Sequence, residues 1–93
     1  MTEVKARHIL VENEEHANQI KLSIERDEMS FEEAAKEKSE GPSGSDGGDL
    51  GWFGRGDMVK PFEREVFDME VGEISDPVET KFGWHLIRKD DER

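Results

Sequence analysis

Cysteine is absent from the 93-residue chain. No disulfide framework can form, and a thiolate nucleophile is excluded. Long apolar runs are missing too. None approaches the roughly 20 residues of a membrane-spanning helix, so no membrane partner is expected. The opening MTEVKARHIL has no apolar h-region, and a cytoplasmic protein is the simplest expectation. Positive charge is scarce. Lysine and arginine number 13 against 24 aspartates and glutamates, a net charge of −11. Phosphates need a basic face, so no nucleic acid partner is expected. The acids gather at Glu12 to Glu15, Glu25 to Glu40 and Asp90 to Glu92. They read as solvated helix faces and a frayed tail. The length suits one small domain with one modest core, leaving little room for a second site.

What the chain does have is a readable alternation of elements. From Val4 to Val11 the residues alternate, with Val4, Ala6, His8 and Leu10 on one face and Lys5, Arg7, Ile9 and Val11 on the other. This is a strand that points His8 inward. Asn13 can cap a helix over about 14–27, acidic in its first turn at Glu14 and Glu15 and apolar at Ala17, Ile20 and Ile24. Ser30-Phe31-Glu32-Glu33 is a capping box for a short second helix ending near Lys38. Residues 39–48, SEGPSGSDGG, are too polar and glycine-rich to pack and read as loop. A strand follows at Leu50 to Gly54, and a helix at Pro61 to Met69 with Phe62, Val66 and Phe67 inward. Pro77 to Thr80 and Gly83 to Lys89 read as two strands joined tightly through Lys81 and Phe82, with His85 and Ile87 sharing a face. The class is α+β, an antiparallel sheet with helices packed around it.

The densest signal is Gly47 to Phe67, GGDLGWFGRGDMVKPFEREVF. Glycines let the backbone pass close to a neighbour or a ligand. The apolar side chains Leu50, Trp52, Phe53, Met58, Val59 and Phe62 cannot all face one core. By spacing, two readings stand: Leu50, Phe53 and Phe62 plug the core, or they are the walls of a pocket. His8 and His85 lie on inward faces of different strands. A lone inward histidine is usually a satisfied core residue. A zinc site is not expected, because there are no cysteines and the acids fall in loops. His16 falls on the exposed face of the first helix.

The string Gly48-Asp49-Leu50-Gly51-x-Phe53-x-x-Gly56-x-Met58-x-x-Pro61-Phe62, with Phe67 beyond it, resembles the signature of the parvulin-type peptidyl-prolyl isomerases. Ala6-Arg7-His8-Ile9-Leu10-Val11 and Thr80-Lys81-Phe82-Gly83-Trp84-His85-Leu86-Ile87 fit in the right order, so the resemblance covers roughly Val4 to Lys89. It implies the parvulin fold, a four-stranded antiparallel sheet surrounded by four helices within the FKBP-like superfold. The fourth helix would fall in the loop after Lys38. The implied domain is 4–89, with 90–93 an acidic C-terminal tail. An excised domain of an exported foldase is then the alternative to a free cytoplasmic protein.

The resemblance further implies isomerisation of X-Pro bonds in unfolded or flexible client chains by a monomer without a cofactor. It assigns the proline-ring pocket to Leu50, Met58 and Phe62, with Phe53 and Phe82 completing the rim. It places His8 and His85 as a hydrogen-bonded imidazole pair beneath that pocket, with the Thr80 hydroxyl beside them fixing a tautomer. A cysteine or aspartate often found after the second helix falls here on Gly41, and a neighbouring acidic position on Glu40. Glu40 is the candidate carboxylate for polarising the histidines. Phospho-specific parvulins carry a basic cluster after the first histidine motif, where this chain has Glu12-Asn13-Glu14-Glu15. No phosphate requirement is expected. The other readings are a chaperone-type peptide-binding module with weak or no isomerase activity, and a purely structural interaction domain.

Overall fold

The computed structural model describes residues 1–93 as one four-stranded sheet with helices on both faces. The order is β1 (Glu3–Val11), α1 (Glu14–Glu25), α2 (Phe31–Lys38), a 3-10 helix (Pro42–Asp46), β2 (Asp49–Gly54), α3 (Lys60–Asp68), β3 (Val78–Thr80) and β4 (Gly83–Glu92). The strands lie in the order β2-β1-β4-β3, every pair antiparallel. The α+β expectation holds, and so do the local signals behind it. Asn13 caps α1 by accepting from the His16 amide at 2.8 Å. Ser30 and Glu33 close their box at 3.0 and 3.2 Å.

The alternation of β1 divides the molecule into two cores. Val4 and Ala6 pack with Phe53, Phe62, Val66, Phe67, Met69 and Ile87, beneath α3. Ile9 and Val11 pack with Ala17, Ile20, Phe31, Ala34, Ala35 and Leu86, beneath α1 and α2. A period of two on the two central strands serves both faces, because each is covered by helices. His8 and His85 fall on the α3 face. Register sets His8 opposite Ile87 and Leu10 opposite His85, so the two histidines are diagonal neighbours.

Two expectations change. The stretch 39–48 is not wholly loop, since Pro42–Asp46 winds into the 3-10 helix. Pro42 starts it, and Gly48 seats it: at φ 83° a side chain there would run into the His8 carbonyl, while the Gly48 carbonyl accepts from the His8 amide at 3.0 Å. The residues read as a frayed tail instead continue β4 to Glu92. Thr2 and Glu3 donate their amides to the Arg93 carbonyl at 2.7 and 2.9 Å. The Lys89 ammonium, fully buried, is held by Glu92 at 2.6 Å and the Met69 carbonyl at 2.9 Å. A buried ammonium needs such partners, and they fix the strand end.

Candidate active site

The sheet brings His8 and His85 together on its α3 face. Their Nδ1 atoms are 3.0 Å apart, and the rings stack with centroids 5.2 Å apart. His85 Nε2 meets the Thr80 hydroxyl at 2.7 Å, and that oxygen also accepts from the Phe82 amide at 3.1 Å. Thr80, His85 and His8 thus form a hydrogen-bonded chain ending at His8 Nε2. Burial pushes both imidazoles down to about 4, and His85 is lowered further by its neighbour His8. At neutral pH both rings are uncharged. Such a chain can run in two senses. With Thr80 as donor, protons point from His85 to His8 and His8 Nε2 is left as a donor. In the reverse sense it is an acceptor.

Phe62 stands edge-on to both histidines, at 5.6 and 5.3 Å between centroids. Above them opens a cleft of about 270 Å³ lined by Leu50, Asp57, Met58, Val59, Phe62 and Phe82, floored by His8 and His85. Leu50, Met58, Phe62, Phe82, His8 and His85 therefore do meet, though they come from β2, the loop after it, α3, the β3–β4 turn, β1 and β4. Phe62 satisfies both sequence readings: it is 3 % exposed within the α3 core, and one side of it faces the cleft. Phe82 is 61 % exposed at the rim.

Two expected site residues are not there. Phe53 is 4 % exposed and packs between Phe62 and Phe67, so it supports the pocket wall from behind instead of forming its rim. Alternation along β2 turns Phe53 to the core. Glu40 is exposed, and its carboxylate takes part in none of the side-chain hydrogen bonds or ion pairs around the histidines. The backbone explains this: the Glu40 amide is tied to the Leu10 carbonyl at 2.8 Å, which turns the side chain outward, and Gly41 is left facing His8.

Other residues were not singled out from sequence. The Ser39 hydroxyl accepts from the amides of Leu10 (3.1 Å) and Gly41 (3.3 Å), anchoring the loop beside His8. Glu63 is 4 % exposed and accepts from the Gly56 amide at 2.6 Å, with Lys60 and Arg55 at 3.6 and 3.8 Å. The Gly56 hydrogen bond, followed by the two cations, holds this carboxyl below the usual range despite its burial. Gly56, at φ 92°, lets its amide turn back to Glu63. The Gly54 amide is tied to Asp57 at 2.8 Å. Together these bonds fix the loop that carries Met58. Glu63→Gln, which keeps an acceptor for Gly56, should retain most activity, while Glu63→Ala should lower kcat/KM several-fold by loosening Met58. The Gly56 amide resonance reports whether the loop has moved, and equal activity in both variants and the parent would refute this role. An acid two residues after Pro61 looks like any helix-start acid, so its reach to Gly56 was invisible in sequence.

Residues 3–91 match the family model described as rotamase, PPIC-type PPIase domain. The foldase protein PrsA of Geobacillus kaustophilus is 48 % identical over 89 residues, which cover 95 % of this chain and 31 % of that protein. The chain thus spans about a third of the length of that curated relative. The crystal structure of the peptidylprolyl isomerase PrsA from Bacillus anthracis superposes with a TM-score of 0.95 at 41 % identity, covering 99 % of this chain and 42 % of the other. The solution structure of NmPin, the parvulin of Nitrosopumilus maritimus, superposes at 0.86 with 37 % identity and covers 97 % of both chains. Sequence motifs, strand order and a match over nearly the whole chain agree, and the chain belongs to the rotamase family of PPIC-type peptidyl-prolyl isomerase domains.

Proposed function

We propose that this chain is a peptidyl-prolyl cis/trans isomerase acting on X-Pro bonds in unfolded or flexible client segments, without a phosphate requirement. The observation that carries the reading is the apolar cleft floored by an uncharged, hydrogen-bonded histidine pair. Rotation about an X-Pro amide must cross roughly 18–20 kcal/mol set by resonance, while cis and trans differ by only about 0.5–1 kcal/mol. A catalyst therefore has to favour the twisted amide over both planar forms. Leu50, Met58 and Phe62 hold the proline ring, Met58 as the adaptable wall and Phe62 as the flat one, and Phe82 closes the rim. The apolar surroundings withdraw water from the carbonyl. Lower polarity weakens the charge-separated resonance form, and with it the C–N double-bond character. His8 and His85, oriented through Thr80, give the floor its shape and polarity without adding charge. No step makes a bond to the protein.

The test is exchange spectroscopy on unphosphorylated Ala-Pro tetrapeptides with catalytic amounts of the protein. Acceleration of cis/trans exchange is expected. Binding without acceleration would instead favour the chaperone-type module. The relation to the PrsA foldases, of which this chain spans about a third, supports a domain serving a longer foldase over a free cytoplasmic isomerase.

Phosphorylation before proline should lower kcat/KM. Glu12, Glu14 and Glu15 are exposed at the end of β1, Arg55 and Lys60 are both engaged by Glu63, and Lys81 lies over the Phe82 ring at the cleft rim. Each acid at a few ångströms repels a phosphate charge by about 1 kcal/mol in high dielectric. The penalty should shrink with added salt, and Glu12→Lys with Glu15→Lys should recover part of it. Ala-Pro, Glu-Pro and phosphoserine-Pro peptides at low and high salt make the comparison. A preference for the phosphopeptide would sink the claim.

A further inference from the structure

In a chain without cysteine, reversible sulfur oxidation is confined to methionine. The four methionines sit in unlike places. Met69 is buried in the core beneath α3, and Met29 is packed against the core beneath α1 and α2. Met1 is exposed near the chain end, where its sulfur accepts from the Lys89 ammonium at 3.4 Å. Met58 alone among them lines the cleft above the histidine pair. We propose that Met58 is a reversible oxidation site: a peroxide entering the cleft converts it to the sulfoxide, and the modified cleft no longer accepts a proline ring. The effect on activity rests on the isomerase reading of the cleft, whereas the modification itself does not.

Three observations lead there. First, the sulfur can be reached. Met58 is half-buried, and the cleft it lines holds about 270 Å³. Hydrogen peroxide is little larger than water, which takes about 30 Å³ of liquid volume. Second, the chemistry asks nothing of the neighbours. A thioether needs no deprotonation, so no base is required. The sulfur lone pair takes one peroxide oxygen, the O–O bond breaks, and the other oxygen leaves as water with both protons. Sulfur gives up two electrons and the peroxide is reduced. In the return step two thiols become a disulfide and the oxygen leaves as water. Third, the new oxygen is out of place. The walls around Met58 are Leu50, Val59, Phe62 and Phe82, with Asp57 the one charged side chain. A carboxylate only accepts, so no wall side chain can donate to the sulfoxide. Dehydrating that oxygen against a proline ring is costly, and leaving it hydrated keeps water beside the amide. The bonds from the Gly54 amide to Asp57 and from the Gly56 amide to Glu63 pin the loop, so the modified side chain stays at the cleft.

The experiment exposes the protein to hydrogen peroxide and follows fragment masses and kcat/KM on Ala-Pro peptides through one time course. Trypsin cuts after Arg55 and Arg64 but not at Lys60 before Pro61, so Met58 is the only methionine in its fragment, 56–64. The Met58 and Met1 fragments should gain oxygen first and the Met69 fragment last. kcat/KM should fall roughly tenfold, at the rate of the Met58 fragment. A saturating proline peptide should slow oxidation of Met58 and not of Met1. Methionine sulfoxide reductase with dithiothreitol should restore both mass and activity. Whatever activity Met58→Leu retains should survive peroxide, whereas Met29→Leu should lose activity as the parent does. Met58 left unmodified after Met69 has reacted would overturn the proposal. So would undiminished kcat/KM in protein oxidised at Met58, or an unchanged peroxide loss in folded Met58→Leu. An untreated protein that accelerates no peptide would overturn the isomerase reading instead, and the fragment masses would still decide the modification. The parent time course is decisive even if the variant does not fold.

Discussion

Met58→Ala should lower kcat/KM at least tenfold in a protein that stays folded, whereas Phe62→Ala should lower both activity and stability. The difference follows from burial. Met58 is half-buried and its side chain lines the cleft. Truncating it removes a wall of the proposed ring site, and a tenfold loss corresponds to about 1.4 kcal/mol of transition-state binding. Phe62 is packed on one side by Phe53 and the α3 core, and edge-on by both histidines. Its loss opens a cavity costing about 3–5 kcal/mol, out of the roughly 5–15 kcal/mol that holds a small domain. It also removes the wall that keeps the imidazole pair in place. Denaturant unfolding and exchange spectroscopy on the same samples separate the two effects. A Met58→Ala protein with undiminished kcat/KM would mean that the cleft does not hold the proline ring. Full stability in Phe62→Ala would mean that the packing around the histidines is not as described.

The second large effect is an acid-side loss of stability driven by the histidine pair. Both rings sit at about 4 when folded, against 6.5 for the ordinary imidazole. Between those values the unfolded chain binds protons that the folded one refuses, so stability rises with pH through this window and levels off above about 6.5. Read downward, it is fully present at pH 7 and is lost as pH falls toward 4. At about 1.4 kcal/mol per pH unit for each group, the loss amounts to roughly 3 kcal/mol per histidine across the window, an upper figure because the two rings are coupled. Neutralising the many carboxylates relieves self-repulsion in the opposite sense, but mainly below pH 5. The interval from 6.5 to 5 therefore isolates the histidines. Urea midpoints across that interval should fall with pH. The ring protons of His8 and His85 should keep constant shifts, and kcat/KM should show no break near 6.5. Titration of either ring near 6.5 in the folded protein would refute the neutral, dehydrated pair. In the same spirit, His8→Leu should lose more stability than activity per folded molecule, because it strands the His85 ring and the Thr80 hydroxyl. A folded His8→Leu protein with no activity would assign His8 a direct part in catalysis.

Local chemistry settled most of the fold. The period of two in β1, the Asn13 cap, the Ser30–Glu33 box and Pro61 at the start of α3 each act over a few residues, so each could be read without knowing the rest. The motifs around Leu50, Met58 and Phe62 and the two inward histidines pointed by resemblance to the residues that meet at the candidate cleft. Three-dimensional packing decided the remainder, because those facts depend on residues distant in the chain. Antiparallel register across β1 and β4, not sequence spacing, brings His8 and His85 to 3.0 Å. Strand alternation against α3 turns Phe53 into the core. The bond from Glu40 to Leu10 turns that carboxylate outward and leaves Gly41 over His8. The tail expected to fray is held because Arg93 and Lys89 find partners near the other end of the chain and in the turn after α3. The cleft takes its walls from residues 50, 57–59, 62 and 82 and its floor from residues 8 and 85. No window of sequence holds them together, and only closure of the sheet makes them one surface.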